Sequence, residues 1–247
     1  MITPKERPIL FSAPMVRAIL DGRKTQTRRI INPQPYIDGM GNFCWNGRNF
    51  GQDSNGPCIQ AIASPIPSSE TKRICCPYGK PGDLLYIKEA AWMWCEKKPN
   101  GTTKTGKQKW LYEPLREAPV VYCADHPDKP TLKIAHEETG NEWGWRKKIG
   151  RFLPRWASRT TLEIVSVRVE RLSDISEEDA IADGCIKFPF EDSCAYTFYE
   201  NDKTGHATHT GAYRKLCESL NGSGSWDLNP WLWVVEFKTL EIARAAA

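Results

Sequence analysis

The run Thr160-Thr-Leu-Glu-Ile-Val-Ser-Val-Arg-Val-Glu-Arg171 and the segment after it constrain the fold most. Thr161, Glu163, Val165, Val167 and Val169 lie in a long stretch rich in β-branched residues, which reads as a strand. "SDISEEDAIADG" then reads as a short acidic helix. Ser176 caps it, Glu177, Glu178 and Asp179 fill its first turn, and Gly184 stops it. A long strand running straight into a capped helix calls for a mixed α and β arrangement.

The remaining segments fit that class. Ile9-Leu-Phe11 is a short apolar strand, and Ser12 caps a helix with Pro14 in its first turn. Gly22 is placed to end that helix in a left-handed conformation, and the chain then reads as extended from about Thr25 to Ile31. Lys80-Pro-Gly-Asp83 is a turn before the strand Leu84–Lys88. Ala118–Ala124 is β-rich, Ala212–Leu220 reads as a helix, and Trp231–Leu240 is a last strand. Polar, Pro- and Gly-rich stretches near 32–76, 96–117, 125–150 and 185–205 read as insertions in one domain spanning 1–247. The expected architecture is an α+β mixed β-barrel with short helices at its mouth.

Charge and cysteine usage narrow the setting. Residues 1–48 and residues 142–171 each carry eight Lys/Arg against three acids, whereas residues 172–203 carry nine acids and two lysines. If the basic segments share a face, they suit a nucleotide or a polyanion. There is no secretory-type start and no apolar run long enough to span a membrane. With nine cysteines, an odd number, the expectation is a cytoplasmic protein with mostly reduced thiols.

Four groups of residues could carry chemistry. The first is "DGRKTQTRR", residues 21–29. Thr27 becomes a nucleophile only if a base takes its proton, and Lys24 can do so if burial and Arg23, Arg28 and Arg29 lower its pKa. Positions 24 and 27 face opposite ways in an ideal strand, so they converge only if the chain is still turning after Gly22. The glycine spacing excludes a phosphate-binding loop. The second group is Glu89, Asp179 and Asp183. Glu89 precedes Trp92 and Trp94, as in a ring-stacking pocket, or else pairs with an arginine of the long strand, while Asp179 reads as a helix N-terminal charge. The third group is Cys44, Cys58, Cys75 and Cys76, which lack a Cys-x-x-Cys pair; with the pair His206 and His209 they make no metal site, and no metal or organic cofactor is expected. The fourth is "PRWASR", where Arg155 and Trp156 interleave phosphate-contacting and base-stacking types.

Gly22-Arg-Lys-Thr-Gln-Thr-Arg-Arg29 resembles the G-x-K-T-x-T-x-R signature of the ASCH-domain family, PUA-like β-barrels. The resemblance extends in order to "PGDLLYIKEAAW", "LEIVSVRVERLSDISEEDAIADG" and "WVVEFKTL", about 110 residues, and the whole chain is similar to the long phage and prophage type. It implies a protein of the bacterial host's cytoplasm. Some small members of the family are amidohydrolases that remove the acyl group from N4-acetylcytidine and related N4-acylated cytosines. Carried over, their lysine is Lys24 and their threonine Thr27. Asp183 stands where the family has glutamate, one methylene shorter.

The resemblance implies a pocket for a modified cytosine nucleoside or base. Trp92 or Trp156 stacks on the ring, with Glu89 and Arg155 beside the substrate. Lys24 activates Thr27, or a water, for attack on the amide. Backbone N–H groups or Arg29 hold the oxyanion, and Asp183 orients Lys24 or protonates the leaving amine. The alternatives are a non-catalytic module that binds RNA, DNA or a modified base, and a ribonuclease.

Overall fold

Local pattern and chain punctuation account for most elements of the computed structural model, which describes residues 3–53, 56–57, 76–131, 143–199, 202 and 205–242. In chain order they are β1 (Glu6–Leu10), α1 (Ala13–Leu20), β2 (Gln26–Ile30), β3 (Tyr36–Ile37), β4 (Phe43–Trp45), β5 (Arg48–Asn49), β6 (Gln52–Asp53), β7 (Gly56–Pro57), β8 (Leu84–Lys88) and β9 (Ala91–Thr102). There follow β10 (Gln108–Pro114), β11 (Val120–Tyr122), β12 (Trp143–Lys148), β13 (Thr160–Arg171), α2 (Glu177–Ala182), β14 (Ile186–Phe190), β15 (Ser193–Thr197), α3 (His209–Asn221) and β16 (Trp231–Ile242). The chain is an α+β protein, rich in strands, with three short α-helices among the described residues.

The principal sheet has five strands in the order β1-β8-β13-β16-β2. It is open, with β1 and β2 at its edges, so among the described residues the expected closed barrel is not formed. The approach to β2 shows a physical reason. Lys24 N–H donates to Ala18 O of α1 at 2.9 Å, and Thr25 N–H donates to Ala182 O of α2 at 2.8 Å. Backbone donors that barrel closure would pair with a strand are taken by helices instead.

The chain divides into two compact units. The first comprises Met1–Arg7, Ala18–Leu85 and Leu162–Leu240; the second comprises Pro8–Arg17, Tyr86–Thr161 and Glu241–Ala247. In the first unit β2 pairs antiparallel with β16, Thr27 opposite Val235 and Arg29 opposite Trp233. Ser176 caps α2 by accepting from Asp179 N–H at 3.1 Å. Helices α2 and α3 share an apolar core that includes Leu172, Ala180, Tyr196, Tyr213, Cys217 and Leu232. Phe43 meets Trp231 edge-on, ring centres 5.6 Å apart, and so anchors β4, part of the segment read as an insertion.

The second unit is built on β9, which pairs with β10, β11 and β12. One face of β9 packs Ala91, Met93 and Cys95 against Leu153 and Ala157. The other carries Trp94, against which Trp145 of β12 packs, with Trp92 of β9 and Trp143 of β12 beside them.

Three segments read as insertions contain strands among their described residues. Residues 96–117 contain the β9–β10 hairpin, 125–150 contain β12, and 185–205 contain the β14–β15 hairpin. The β9–β10 hairpin beyond Glu96 is largely exposed, so it lacks the apolar–polar alternation that marks a half-buried strand, whereas β12 and β15 are partly buried. Cys58 and Cys75 lie outside the described residues, and the seven described cysteines are free thiols.

Candidate active site around Lys24

The site begins with a turn. Gly22 ends α1 at φ 74°, a conformation that favours glycine, and its N–H donates to Ile19 O at 3.0 Å. The strand starts only at Gln26, so period-2 alternation does not run through Lys24. Lys24 is instead free to turn inward. It is 1% exposed, and Thr27, inside the strand, is 3% exposed.

Asp183 is brought to Lys24 across 159 residues of sequence. It forms the C-terminal cap of α2, and Gly184 follows at φ 101°. A Cβ on Gly184 would lie 3.5 Å from Lys24 Cβ and 3.6 Å from Ala18 Cβ, so the lysine stem runs along this turn. Lys24 Nζ donates to the Asp183 main-chain carbonyl at 2.7 Å and makes a short contact with its carboxylate Oδ1. The other carboxylate oxygen accepts from Tyr213 Oη at 3.0 Å and lies 3.7 Å from Arg28 Nη1. The aspartate thus grips the ammonium with its backbone as well as its shorter side chain.

Burial decides the protonation tendencies. Loss of solvent is the largest influence on Lys24 and pulls its pKa below the ordinary lysine value; Asp183 works against this, and Arg29 and Arg28 add to it. Burial, then the charge of Asp183, pushes the Tyr213 phenol well above its ordinary value, so it remains a donor.

A second layer surrounds this pair. Arg28 Nη2 reaches Asp179 at 2.8 Å and Glu170 at 3.2 Å. Asp179 also accepts from Gln26 Nε2 at 2.9 Å and Arg168 Nη2 at 2.8 Å. Burial works against the Asp179 anion, but the hydrogen bonds from Gln26 and Arg168 outweigh it and hold the carboxyl below its usual range. Asp179 is therefore both a first-turn charge of α2 and a junction of this network. Arg168 also contacts Glu170 and Glu236. The cations Lys24, Arg28 and Arg168 thus face four carboxylates, Glu170, Asp179, Asp183 and Glu236.

Arg28 and Tyr213 leave this network for a pocket of ≈ 60 Å³, whose other walls include Ile30, Leu172, Leu216 and Leu232. Arg28 Nε is buried and has no hydrogen-bond partner. The pocket walls are mostly apolar, and Lys24, Thr27 and Asp183 are not among its lining residues; Arg28 and Tyr213 link it to them. Sequence reasoning treated Arg28 only as part of a positive field and overlooked Tyr213. Arg28 carried a signal in the motif; Tyr213 had no local one.

The other expected site residues divide between the two units. Arg29 is on β2, next to Arg28. Glu89, Trp92, Arg155 and Trp156 belong to the second unit. There Glu89, 2% exposed, accepts from Arg159 Nε at 2.9 Å and Nη2 at 3.1 Å. Arg159 also pairs with Asp125 and lies 4.0 Å from the Tyr122 ring centre. Burial pushes the Glu89 carboxyl above its ordinary value. Trp92 packs with Trp94 and Trp145, and Lys147 Nζ lies 5.7 Å from its ring centre. Arg155 sits 4.9 Å from the Tyr86 ring centre, and Trp156 packs against the cluster around Met93 with Arg116 5.8 Å from its ring centre.

Among the described residues, no group of three or more His, Cys, Asp and Glu side chains is arranged to hold a metal ion, and no helix is long and apolar enough to cross a membrane. No protein-family model, no curated protein and no solved structure matches the chain.

Proposed function

We propose that this protein is an amidohydrolase acting on N4-acylated cytosine nucleosides, with Lys24, Thr27 and Asp183 in its site, and that its fold is a PUA-like variant of the ASCH type. The observation that carries this reading is the fully buried lysine amine, lowered in pKa by desolvation and held by a carboxylate. Such a lysine is costly as a structural ion pair but, with its pKa lowered by burial, is suited to give up and accept a proton.

In the reaction, the neutral Lys24 amine takes the proton of the attacking hydroxyl, from Thr27 or from a water. The hydroxyl oxygen adds to the amide carbon, and the charge that develops on the carbonyl oxygen meets the unused Arg28 Nε–H. Asp183 keeps the ammonium in place until its proton passes to the exocyclic nitrogen. The C–N bond then breaks, and cytidine leaves with a free amine. Attack by Thr27 leaves an acyl-threonine, which water hydrolyses. In this reading the acyl group enters the pocket lined by Arg28 and Tyr213, the two side chains that also contact Asp183.

The charge balance favours a neutral substrate over a phosphodiester. Three cations face four carboxylates in the network, which repels a phosphate. The test is cytidine release from N4-acetylcytidine by the purified chain, beside Lys24→Met and Thr27→Ala. Turnover by the parent and none in Lys24→Met supports the reading; a folded parent that releases no cytidine from several acyl derivatives overturns it.

A further inference from the structure

The β9–β10 hairpin of the second unit has a surface that the hydrolase reading does not use. We propose that it is an arm that binds single-stranded nucleic acid. Strands β9, β10 and β12 with the β9–β10 turn, residues 91–114 and 143–148, contain eight Lys/Arg and only two acids, Glu96 and Glu113. Both acids sit at the base of the arm, and both pair with Lys98, at 3.0 and 2.7 Å. Beyond them Lys104, Lys107 and Lys109 are exposed.

Charge alone would fit any polyanion. The aromatic content narrows it. Trp110 is 47% exposed, and Lys97 Nζ lies 4.4 Å from its ring centre. An exposed indole beside an ammonium offers a base a stacking face and its phosphate a partner, the pairing that single strands use. A duplex hides its base faces, and a lipid surface gains nothing from stacking.

The arm is also preorganised. Thr103 N–H donates to Lys107 O at 2.7 Å and Gly106 N–H to Thr103 O at 3.0 Å, closing its turn. Tyr112 pairs with Lys97 and Leu111 with Lys98 along the stem.

The competing account is edge protection. Among the described residues, β12 pairs with 91–96 of β9 and not with 97–102, and lysines, a proline and a bulge guard such edges against self-pairing. Pro99 and the bulge between Gln108 and Trp110 already serve that end. The edge does not call for an exposed tryptophan, which would invite association.

The experiment is fluorescence anisotropy of labelled 15-nucleotide DNA and RNA single strands, and a matched duplex, over a series of salt concentrations. Melting curves and size-exclusion profiles accompany each variant. The parent should bind either single strand more tightly than the duplex. The triple variant Lys104→Ala, Lys107→Ala, Lys109→Ala should lower the magnitude of the salt slope by about 2, at ~0.7 per phosphate contact. Trp110→Ala should weaken binding roughly tenfold with the slope unchanged. Failure of the parent to bind, tighter binding to the duplex or to anionic lipid vesicles, or variants that bind as the parent does would each overturn the proposal. So would a triple variant whose only change is self-association.

Discussion

Two buried ion-pair systems, one in each unit, solve the same problem with different cations. In the first, Lys24 and Arg28 face Asp183; in the second, Arg159 faces Glu89 and Asp125. Arginine holds a carboxylate with a planar fork and does not give up its proton, and Arg159 grips both oxygens of Glu89 while lying over Tyr122. Its carboxylate partners outweigh burial and raise its pKa. At Lys24 the balance is reversed: burial wins and the pKa falls. A buried arginine pair fixes structure, whereas a buried lysine pair is poised to exchange a proton. That difference, rather than burial itself, marks the first unit as the place to look for acid–base chemistry.

The sharpest way to break the comparison is to remove each cation. Lys24→Met keeps the volume and removes the amine, so the proposed cytidine release should fall by about 10²–10⁴-fold. The remaining fold should hold, because Asp183 keeps Tyr213 and Arg28. Arg159→Met should do the converse. It leaves Glu89 and Asp125 without their cation and should cost about 3–5 kcal/mol in urea unfolding, with turnover per folded molecule unchanged. If Arg159→Met abolished turnover in a folded protein, Glu89 would return as a functional carboxylate.

Tyr213→Phe is a smaller cut. It removes one hydrogen bond to a buried carboxylate and should cost about 1–3 kcal/mol of stability. Turnover should fall less than in Lys24→Met, because the amine and its partner remain.

Much of the frame was legible in the chain. The capped helix from Ser176 to Gly184, the helix ending at Gly22 and the strands at 84–88 and 160–171 follow from local punctuation and alternation. What local spacing could not supply are partners far apart in sequence. Asp179 reads locally as a helix N-terminal charge, yet Arg28 meets it across 151 residues and Gln26 across 153. Tyr213 lies in an ordinary amphipathic helix, and only folding brings it to Asp183. Lys24 and Asp183 were paired through the family resemblance, and the geometry adds that the Asp183 carbonyl shares the grip. The stretch 96–117 reads only as a polar insertion, because beyond Glu96 its hairpin is largely exposed and the pattern that announces a strand is missing. Glu89 had two readings in the sequence, and the one with a partner present is the arginine pair.

The smallest expected effect tests the comparison most directly, because of the two cations only the lysine should titrate in the accessible range. With the Lys24 pKa lowered by burial, the unfolded chain binds a proton that the folded chain lacks, between the folded value and the ordinary 10.5. More protons on the unfolded state mean that stability rises with pH through that window. Below it, both states are protonated, and the full cost of the buried charge is felt. Denaturant midpoints of the parent relative to Lys24→Met should therefore climb toward pH 10.5. Turnover should rise over the same interval, as the neutral amine becomes populated. The difference between Arg159→Met and the parent should show no such climb from the guanidinium, which stays protonated throughout. A flat parent-minus-Lys24→Met profile would mean that the lysine stays charged in the fold, and Lys24 would then be a structural partner of Asp183 in the same sense that Arg159 is of Glu89.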